Sequence, residues 1–403
     1  PSILRYRGTN LGKFTELMTM GPDGILGTPL YTSANSLFYF IVFGVFFSVC
    51  GGGQLLIDIG MKCSNKSSGG PAKAAIISSS LMGMISGSAV ANVSTTGVMT
   101  IPMMKKVGYT PEQAGAIEAV ASTGGQIMPP IMGIGAFIMA EMLGVPYKTV
   151  AFSAIIPAVA YFLSIFLFVT FLAQKQHVAK GSEETAIEVD AIAPRLYMLL
   201  PAIVLVYYMV SGASLMRSGM MGIYAAVGVN VVSRFVLGGK YYVGPKGLFD
   251  AVIQGVRQAA DIAVPTAACG IIIGIVIQSG LATKMSTIIA GVGVSNLVIA
   301  LLITMGGCML LGMALPTVAA YLVANILFVP TLVALKVPAL PANMFVFYFG
   351  IMAQITPPVC LASFTAAGIA GGDAWKTGWT GARYALVAFL IPFIFVYEPA
   401  ILL

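Results

Sequence analysis

The chain has 403 residues, 58% of them hydrophobic and only 9% charged, and its mean hydropathy is +0.94. Soluble domains carry about 25% charged residues, so a soluble globular protein is excluded and an all-α polytopic membrane protein is expected. The formal net charge of +7 sits on Lys and Arg in short loops between apolar runs, which reports membrane topology and not a nucleic-acid partner.

Residues 1–30 are mixed and punctuated by Gly and Pro, and read as an interfacial or loop segment. Residues 37–50 form the first apolar span, ended by Gly51, Gly52 and Gly53. Residues 54–61 are amphipathic and read as lying along the membrane interface. A basic Gly/Ser-rich connection follows, then an apolar hairpin over 74–105. Residues 111–143 are apolar but interrupted at 122–130, where Gly and Pro make a discontinuous helix. Residues 149–173 are a full span. The polar loop 174–194 carries Glu183, Glu184, Glu188, Asp190 and a solvated His177. Two spans follow, at 195–210 and 220–237. After them come a polar connection (240–250), an amphipathic stretch (251–261) and a span (262–277).

Then the pattern restarts. Residues 279–289 resemble the earlier interfacial segment, 296–335 a second hairpin, and 342–370 a second interrupted helix. A span at 384–397 closes the chain before the terminal residues 398–403. Pro1 in place of Met, and the apolar ending EPAILL, lead us to expect a longer polypeptide. At about 20 residues per span there is room for roughly ten to twelve membrane-entering segments.

The stretch 79–133 organises the rest. Ser86, Gly87, Ser88, Asn92, Ser94, Thr95, Thr96 and Gly97 fall within about three helical turns. A lipid-facing helix would not carry that load, because buried polar groups cost free energy unless paired. The reading is a hairpin that dips into the membrane with a polar tip at residues 87–96, where irregular backbone survives only inside protein or beside a water-filled cavity.

The second hairpin repeats the first. Gly87 precedes GQIMPP (125–130), Gly312 precedes AQITPP (353–358), and Pro102 and Pro330 fall in matching places. The expected organisation is a first repeat over 31–173, a loop and scaffold over 174–258, and a second repeat over 259–397. Lys62, Lys66, Lys73, Lys105 and Lys106 flank the first hairpin; only Lys284 and Lys336 flank the second. The positive-inside rule then puts the first hairpin mouth in the cytoplasm. Counting spans makes the second hairpin enter from outside. The repeats are therefore expected to be inverted, with hairpins meeting broken helices near the midplane.

A polar tip without fixed charge suits Na⁺, which needs several oxygens yet must leave again. Ser88, Asn92 and Thr95, with Gly124, Gly125 and Gln126 opposite, form the first candidate ion site. Gly312 and Thr317, with Gln354 and Thr356, form the second. Asn92, Thr96, Gln126, Thr317 and Thr356 are the candidate substrate contacts. The alternative is that these small residues only pack helices. Among the acids, Asp58, Glu141 and Asp261 read as interfacial. Glu118 lies deeper and reads as a proton or ion group, or as partner to a basic side chain. The five Cys read as packing residues, and Trp375 and Trp379 as interface anchors. No P-loop, HExxH, GxSxG or Cys/His cluster suggests an enzyme or ATP motor.

SGSAVANVSTTG (86–97), IPMMKKVGYTPE (101–112), ASTGGQIMPPIMG (121–133), LLGMALPTVAA and QITPPV resemble the large membrane subunit of tripartite ATP-independent periplasmic (TRAP) transporters, in the flavour of the TAXI-type fused permeases. The resemblance covers nearly the whole chain from about residue 31. It implies an elevator-type secondary transporter of the bacterial or archaeal cytoplasmic (inner) membrane. Such a transporter is driven by Na⁺, or by H⁺ in some members, and is fed by a periplasmic solute-binding protein. It usually carries organic acids, with Na⁺ sites at the hairpin tips and facing broken helices. It also implies a small four-helix membrane unit, separate or fused ahead of this region. The second tip is poorer in hydroxyls than the first. Rival readings are a stand-alone Na⁺- or H⁺-coupled carboxylate transporter and, in another class, a passive channel.

Overall fold

The computed structural model describes residues 8, 10–21, 24–64, 69–176, 178, 190–236, 239–293, 296–313 and 315–402. The expectations for His177, Glu183, Glu184 and Glu188 lie outside them. Among the described residues there is helix and turn and no strand.

The chain opens with α1 (Leu11–Met20), where a loop or interfacial segment was expected; Asn10 caps it by accepting from the Gly12 amide. Then α2 (Thr28–Thr32) runs through a π turn into α3 (Phe38–Val49), a 22-residue apolar stretch over Thr28–Val49. Next come α4 (Gly52–Ser64), α5 (Gly70–Ser86) and α6 (Ala89–Lys106), followed by α7 (Pro111–Gly125) and α8 (Ile134–Leu143). Helices α9 (Tyr147–Ser153) and α10 (Ile155–Lys175) together make the span Tyr147–Lys175. A 3₁₀ stretch Ala193–Leu199 leads into α11 (Leu200–Val210), and α12 is Leu215–Ser233.

The span expected at 262–277 is only the second half of one continuous helix, α13 (Pro245–Gln278). Its first half is amphipathic, as expected, but it does not lie apart. Ala251, Gly255 and Ala259 form a buried small-residue stripe, and Gly255 sits against Val42 of α3. Pro265 is accommodated without ending the helix.

The second half of the chain continues with α14 (Leu281–Gly293), α15 (Leu297–Gly312), α16 (Thr317–Ala334), α17 (Ala339–Met352) and α18 (Leu361–Ala370). It closes with α19 (Ala374–Tyr384) and α20 (Ile391–Tyr397). The closing span expected at 384–397 is instead a bend of 59° between α19 and the following helical stretch. The bend falls at the turn 385–387; further on, Pro392 stands in the first turn of α20, where its missing N–H costs nothing.

Six stretches are long and apolar enough to cross a membrane among the described residues, and the bent pair makes a seventh at most. The chain is a multi-pass membrane protein. Its two hairpins, α5–α6 and α15–α16, and its two broken helices, α7–α8 and α17–α18, stand in the same order. Ala89 and Thr317 open equivalent helices 228 residues apart, as do Pro111 and Ala339. The Pro129–Pro130 and Pro357–Pro358 bonds are both cis.

The repeats interlock. α18 of the second repeat packs on α6 and α7, while α8 of the first packs on α16 and α17. α3, α11, α12 and α13 form a neighbouring bundle that contacts the repeats mainly through α13 and α3.

One charge assignment is corrected. Asp58 is not interfacial but buried, 2.7 Å from the guanidinium of Arg195, itself 1% exposed. α4 buries Leu55, Leu56, Ile57 and Met61 and packs on α5, so it does not lie free along a surface. Arg195 also donates to the carbonyls of Ala191 (3.0 Å) and Asp190 (2.7 Å), which satisfies much of its fork.

Candidate functional site

The first hairpin turns on two residues. Gly87 ends α5 in the left-handed region (φ +66°), where a side chain would also sit 3.1 Å from Ile134 Cγ1. Ser88 is extended and caps α6, its hydroxyl accepting from the Ala91 amide at 3.4 Å. The broad tip expected over 87–96 is therefore narrower, because α6 begins at Ala89 and winds the other polar residues into a helix. Their faces then separate. Asn92, Thr96 and Thr100 lie buried at four-residue spacing against α5 and α7, whereas Ser94 and Thr95 are exposed. The Thr95 hydroxyl donates to the Ala91 carbonyl at 2.9 Å and does not join the buried group.

Opposite this face, α7 ends and the chain breaks. α7 starts at a capping box: the Thr110 hydroxyl accepts from the Gln113 amide at 3.3 Å, and the Gln113 side chain from the Thr110 amide at 3.2 Å. It ends at Gly125. A Cβ at Gly83 would lie 2.7 Å from Gly125 Cα and 2.8 Å from Asn92 Nδ2, so the hairpin arm and the break touch backbone to backbone beside Asn92. Gly124 faces elsewhere, against the Tyr161 ring. Asn92 Nδ2 donates to the Ser79 carbonyl at 2.8 Å. Asn92 Oδ1 and both amide atoms of Gln126 are buried without a partner. Buried polar atoms are nearly always satisfied, which singles these three out beside the contact of Gly83 with Gly125.

The second tip is built differently. α15 ends at Gly312, packed against Ala353 and the Gly350 carbonyl, and α16 starts at Thr317 after Pro316. Gln354 donates to the Leu315 carbonyl at 3.2 Å, so the second-repeat Gln holds its own tip where Gln126 is unpaired. Ala320 stands where the first repeat has Asn92, 228 residues earlier. Thr356 donates to the Met352 carbonyl at 2.8 Å and lines an apolar groove with Met305, Trp379 and Phe389, away from the tip.

The two tips meet across a cavity of about 230 Å³. Gly87 and Ser88 line it from one hairpin, Pro316 and Thr317 from the other, and Gln354 from the second break. Ile134, Leu361 and, from α13, Ile262, Pro265 and Thr266 complete it. No charged side chain lines it. What does is a set of helix starts: four helices begin there. Ser88 caps α6, Ile134 opens α8, Thr317 opens α16 and Leu361 opens α18. Three of the four have no side-chain cap. Their first-turn N–H groups and the positive ends of their dipoles thus converge on one space. Of the candidate substrate contacts, Thr317 reaches this cavity, whereas Asn92, Thr96, Gln126 and Thr356 do not line it.

A larger cleft of about 480 Å³ adjoins it, sharing Ser88, Val90, Ile134 and Ile262. It runs between α3, α13 and the outer face of α6, past Thr95 and the exposed Asp261. Glu141 is exposed, and Trp375 and Trp379 stand half-exposed and edge-to-face on α19. Cys50, Cys269, Cys308 and Cys360 are buried, while Cys63 is exposed.

This arrangement agrees with what the whole chain is similar to. The family profile of the tripartite ATP-independent periplasmic transporter, DctM component, matches residues 15–403. The chain belongs to the DctM family. A putative TRAP transporter large permease protein of Haemophilus influenzae is 31% identical over 140 residues, 34% of this chain and 32% of that protein. An uncharacterised protein of Sinorhizobium fredii is 25% identical over 158 residues, 38% of this chain and 37% of that protein. The chain thus spans about a third of the length of these curated relatives. The crystal structure of the Alcanivorax borkumensis YdaH transporter, described as having an unusual topology, shares the fold: TM-score 0.54 at 15% identity, covering 96% of this chain and 86% of that one. The DctM family assignment carries the fold.

Proposed function

We propose that this chain is the large permease subunit of a secondary transporter that imports a small organic acid through the bacterial or archaeal inner membrane. The observation that carries the anionic substrate is the convergence of four helix N-termini on a cavity without charged side chains. Uncapped N–H groups and dipole ends hold a carboxylate without any Arg or Lys. A fixed cation would bind it more tightly, but a transporter must also release it.

The coupling ion is Na⁺, seated near Asn92 Oδ1 and Gln126 between the first hairpin and the break after α7. The unpartnered oxygens and the backbone contact of Gly83 with Gly125 support that seat. The first site is favoured over the second, where Gln354 is occupied and Ala320 replaces the Asn. The repeats lie inverted in the membrane and work by elevator-type alternating access. The first hairpin mouth, with Lys105 and Lys106, faces the cytoplasm. The cleft that runs along α6 from Ser88 past Thr95 heads toward that end, which supports an inward-open cavity. A periplasmic binding protein delivers the solute, and a small four-helix membrane unit completes the assembly.

Uptake of labelled 2-oxoglutarate, glutamate and C4-dicarboxylates into proteoliposomes tests this. The vesicles hold the full permease and its binding protein, with and without an inward Na⁺ gradient. Accumulation that needs both supports the reading. Uptake without the binding protein points to a stand-alone carrier, and equilibration without accumulation to a channel.

A further inference from the structure

Glu118 sits in the middle of α7 and is fully buried. Four hydroxyls from three helices surround its carboxyl. Ser79 of α5 donates to Oε1 at 2.6 Å, and Thr96 of α6 donates to the same oxygen. Ser122, one turn along α7, lies 3.1 Å from Oε1, and Thr100 of α6 lies 2.6 Å from Oε2. Gly97 leaves room for the chain, since a Cβ there would meet Glu118 Cγ at 3.3 Å and Ile369 of α18 at 3.5 Å.

No described basic residue forms an ion pair with it. On α5, Lys73 lies over the Phe166 ring; on α6, Lys105 donates to the Ala370 carbonyl and Lys106 is exposed. α10 brings Tyr161, bonded to the Val120 carbonyl, and Lys175 at its far end; α18 brings no titratable group. Glu112 opens α7, and α19 brings Lys376, Arg383 and Tyr384, with Asp373 as its cap; these line or adjoin a separate polar cleft at the Thr110 end. The other buried acid among the described residues, Asp58, is paired with Arg195, as a buried carboxylate ion needs to be.

The hydroxyl shell has a property that an ion pair lacks. Each hydroxyl owns one proton, and three of the four have a second acceptor. Thr96 Oγ1 lies 2.8 Å from the Asn92 carbonyl, Thr100 Oγ1 3.1 Å from the Thr96 carbonyl, and Ser79 Oγ 3.1 Å from Thr96 Oγ1. When the carboxyl is ionised, all four hydroxyls turn to it. When it is protonated, its own O–H donates into the shell and the threonines return to their helix carbonyls. Both states keep the polar groups partnered.

The fold does not require this cluster. At the positions 228 residues on, the second repeat has Val346 for Glu118, Ala324 for Thr96, Phe328 for Thr100 and Gly350 for Ser122. The same helix junction is thus built without an acid elsewhere in this chain, around hydrogen bonds among Tyr321, Asn325 and Asn343.

We infer that Glu118 is a reversible proton-binding site, read out by the hydroxyls that join the first hairpin to the first broken helix. It is wired to the proposed cation seat through Ser79, whose hydroxyl faces Glu118 and whose carbonyl holds Asn92 Nδ2. A negative charge on Glu118 favours a cation beside Asn92 and Gln126, and its protonation disfavours one; by linkage the cation also displaces the proton. The coupling to transport rests on the reading of the previous section, while the proton site itself does not.

Infrared difference spectra of the purified full-length protein across a pH series test the site directly. A protonated-carboxyl band that titrates in the wild type and is lost in Glu118→Gln is expected. Thr100→Val, which removes one donor and keeps the shape, is expected to move the midpoint of that band. In proteoliposomes, Glu118→Gln is expected to retain solute counterflow and to lose at least fivefold of the pH dependence of Na⁺-driven uptake. An identical titrating band in wild type and Glu118→Gln, or an unmoved midpoint in Thr100→Val, overturns the proton site. A titrating Glu118 band with no carboxylate uptake by the wild type overturns the transport reading instead. Loss of Na⁺ dependence in Glu118→Gln with an unchanged pH profile identifies a cation ligand and overturns the inference.

Discussion

Gly83 and Gly125 meet without a side chain between them: a Cβ on Gly125 would fall 2.6 Å from the Cα of Gly83, and one on Gly83 2.7 Å from the Cα of Gly125. This contact sets how closely the first hairpin approaches the first break, and so where Asn92 and Gln126 lie. Gly125→Ala is expected to push the two apart, costing about 1–3 kcal/mol by overpacking. The check is a lowered thermal midpoint in detergent, together with loss of the Na⁺-dependent share of uptake.

The unpartnered oxygens set up a second comparison. Gln126→Ala removes a side chain without a partner and is expected to weaken apparent Na⁺ affinity tenfold or more with little loss of stability, whereas Asn92→Ala also cuts the bond to the Ser79 carbonyl and is expected to add a stability loss of about 1 kcal/mol to the same loss of affinity. Gln354→Ala cuts the bond to the Leu315 carbonyl and is expected to act the other way from Gln126→Ala, loosening the second tip and lowering stability by about 1 kcal/mol. Na⁺ titrations of uptake beside thermal melts separate the two patterns.

Ser88→Asp probes the anion cavity. Asp caps a helix as well as Ser does, and its charge suits the dipole, so α6 should be at least as stable. The new carboxylate would occupy the field meant for the substrate. Near-complete loss of organic-acid binding with an unchanged or raised melting temperature is expected. Unimpaired binding by this variant would remove the helix termini as the anion site.

The buried and exposed ion pairs should respond differently to loss of one partner. Arg195→Ala leaves Asp58 charged in the interior, which costs about 3–5 kcal/mol; Arg195→Met with Asp58→Leu is expected to recover most of it. Asp190, at the surface, takes two contacts from Lys240 at 2.8 and 2.7 Å and one from the Tyr241 hydroxyl. The hydrogen bond from Lys240 holds its carboxyl below the usual carboxylate range. A carboxyl depressed in the folded state contributes above its unfolded pKa, and that contribution is lost as pH falls through the folded one. Asp190→Asn is therefore expected to lower the melting temperature slightly at neutral pH, to leave it unchanged at low pH where the wild-type carboxyl is already protonated, and so to flatten the acid limb of the pH profile.

Much of the architecture was readable before any coordinates. Gly87 beside Ser88 announced a tight turn and a cap, and Gln-x-x-Pro-Pro at 126–130 and 354–358 announced both breaks, because these are local backbone effects. The reading went astray where apolar or amphipathic pattern had to stand for position. α13 was divided because its first half is amphipathic, yet Ala251, Gly255 and Ala259 pack it onto α3. The closing span bends because a turn at 385–387 interrupts the helix ahead of Ala388. Thr95 looked equivalent to Asn92 and Thr96, but it lies about 100° around α6 from Thr96, exposed and bonded to the Ala91 carbonyl of its own helix.

The sequence by itself determined the membrane environment, the repeat, the turns and the places where helices stop. These follow from composition and from the conformational limits of single residues, which neighbours in the chain suffice to impose. Only the tertiary structure decided that Asp58 would find Arg195, that four hydroxyls would surround Glu118, and that four helix N-termini would open on one cavity. Those relationships join residues from separate helices, and their free energy comes from desolvation and close packing, which exist only once the helices have met.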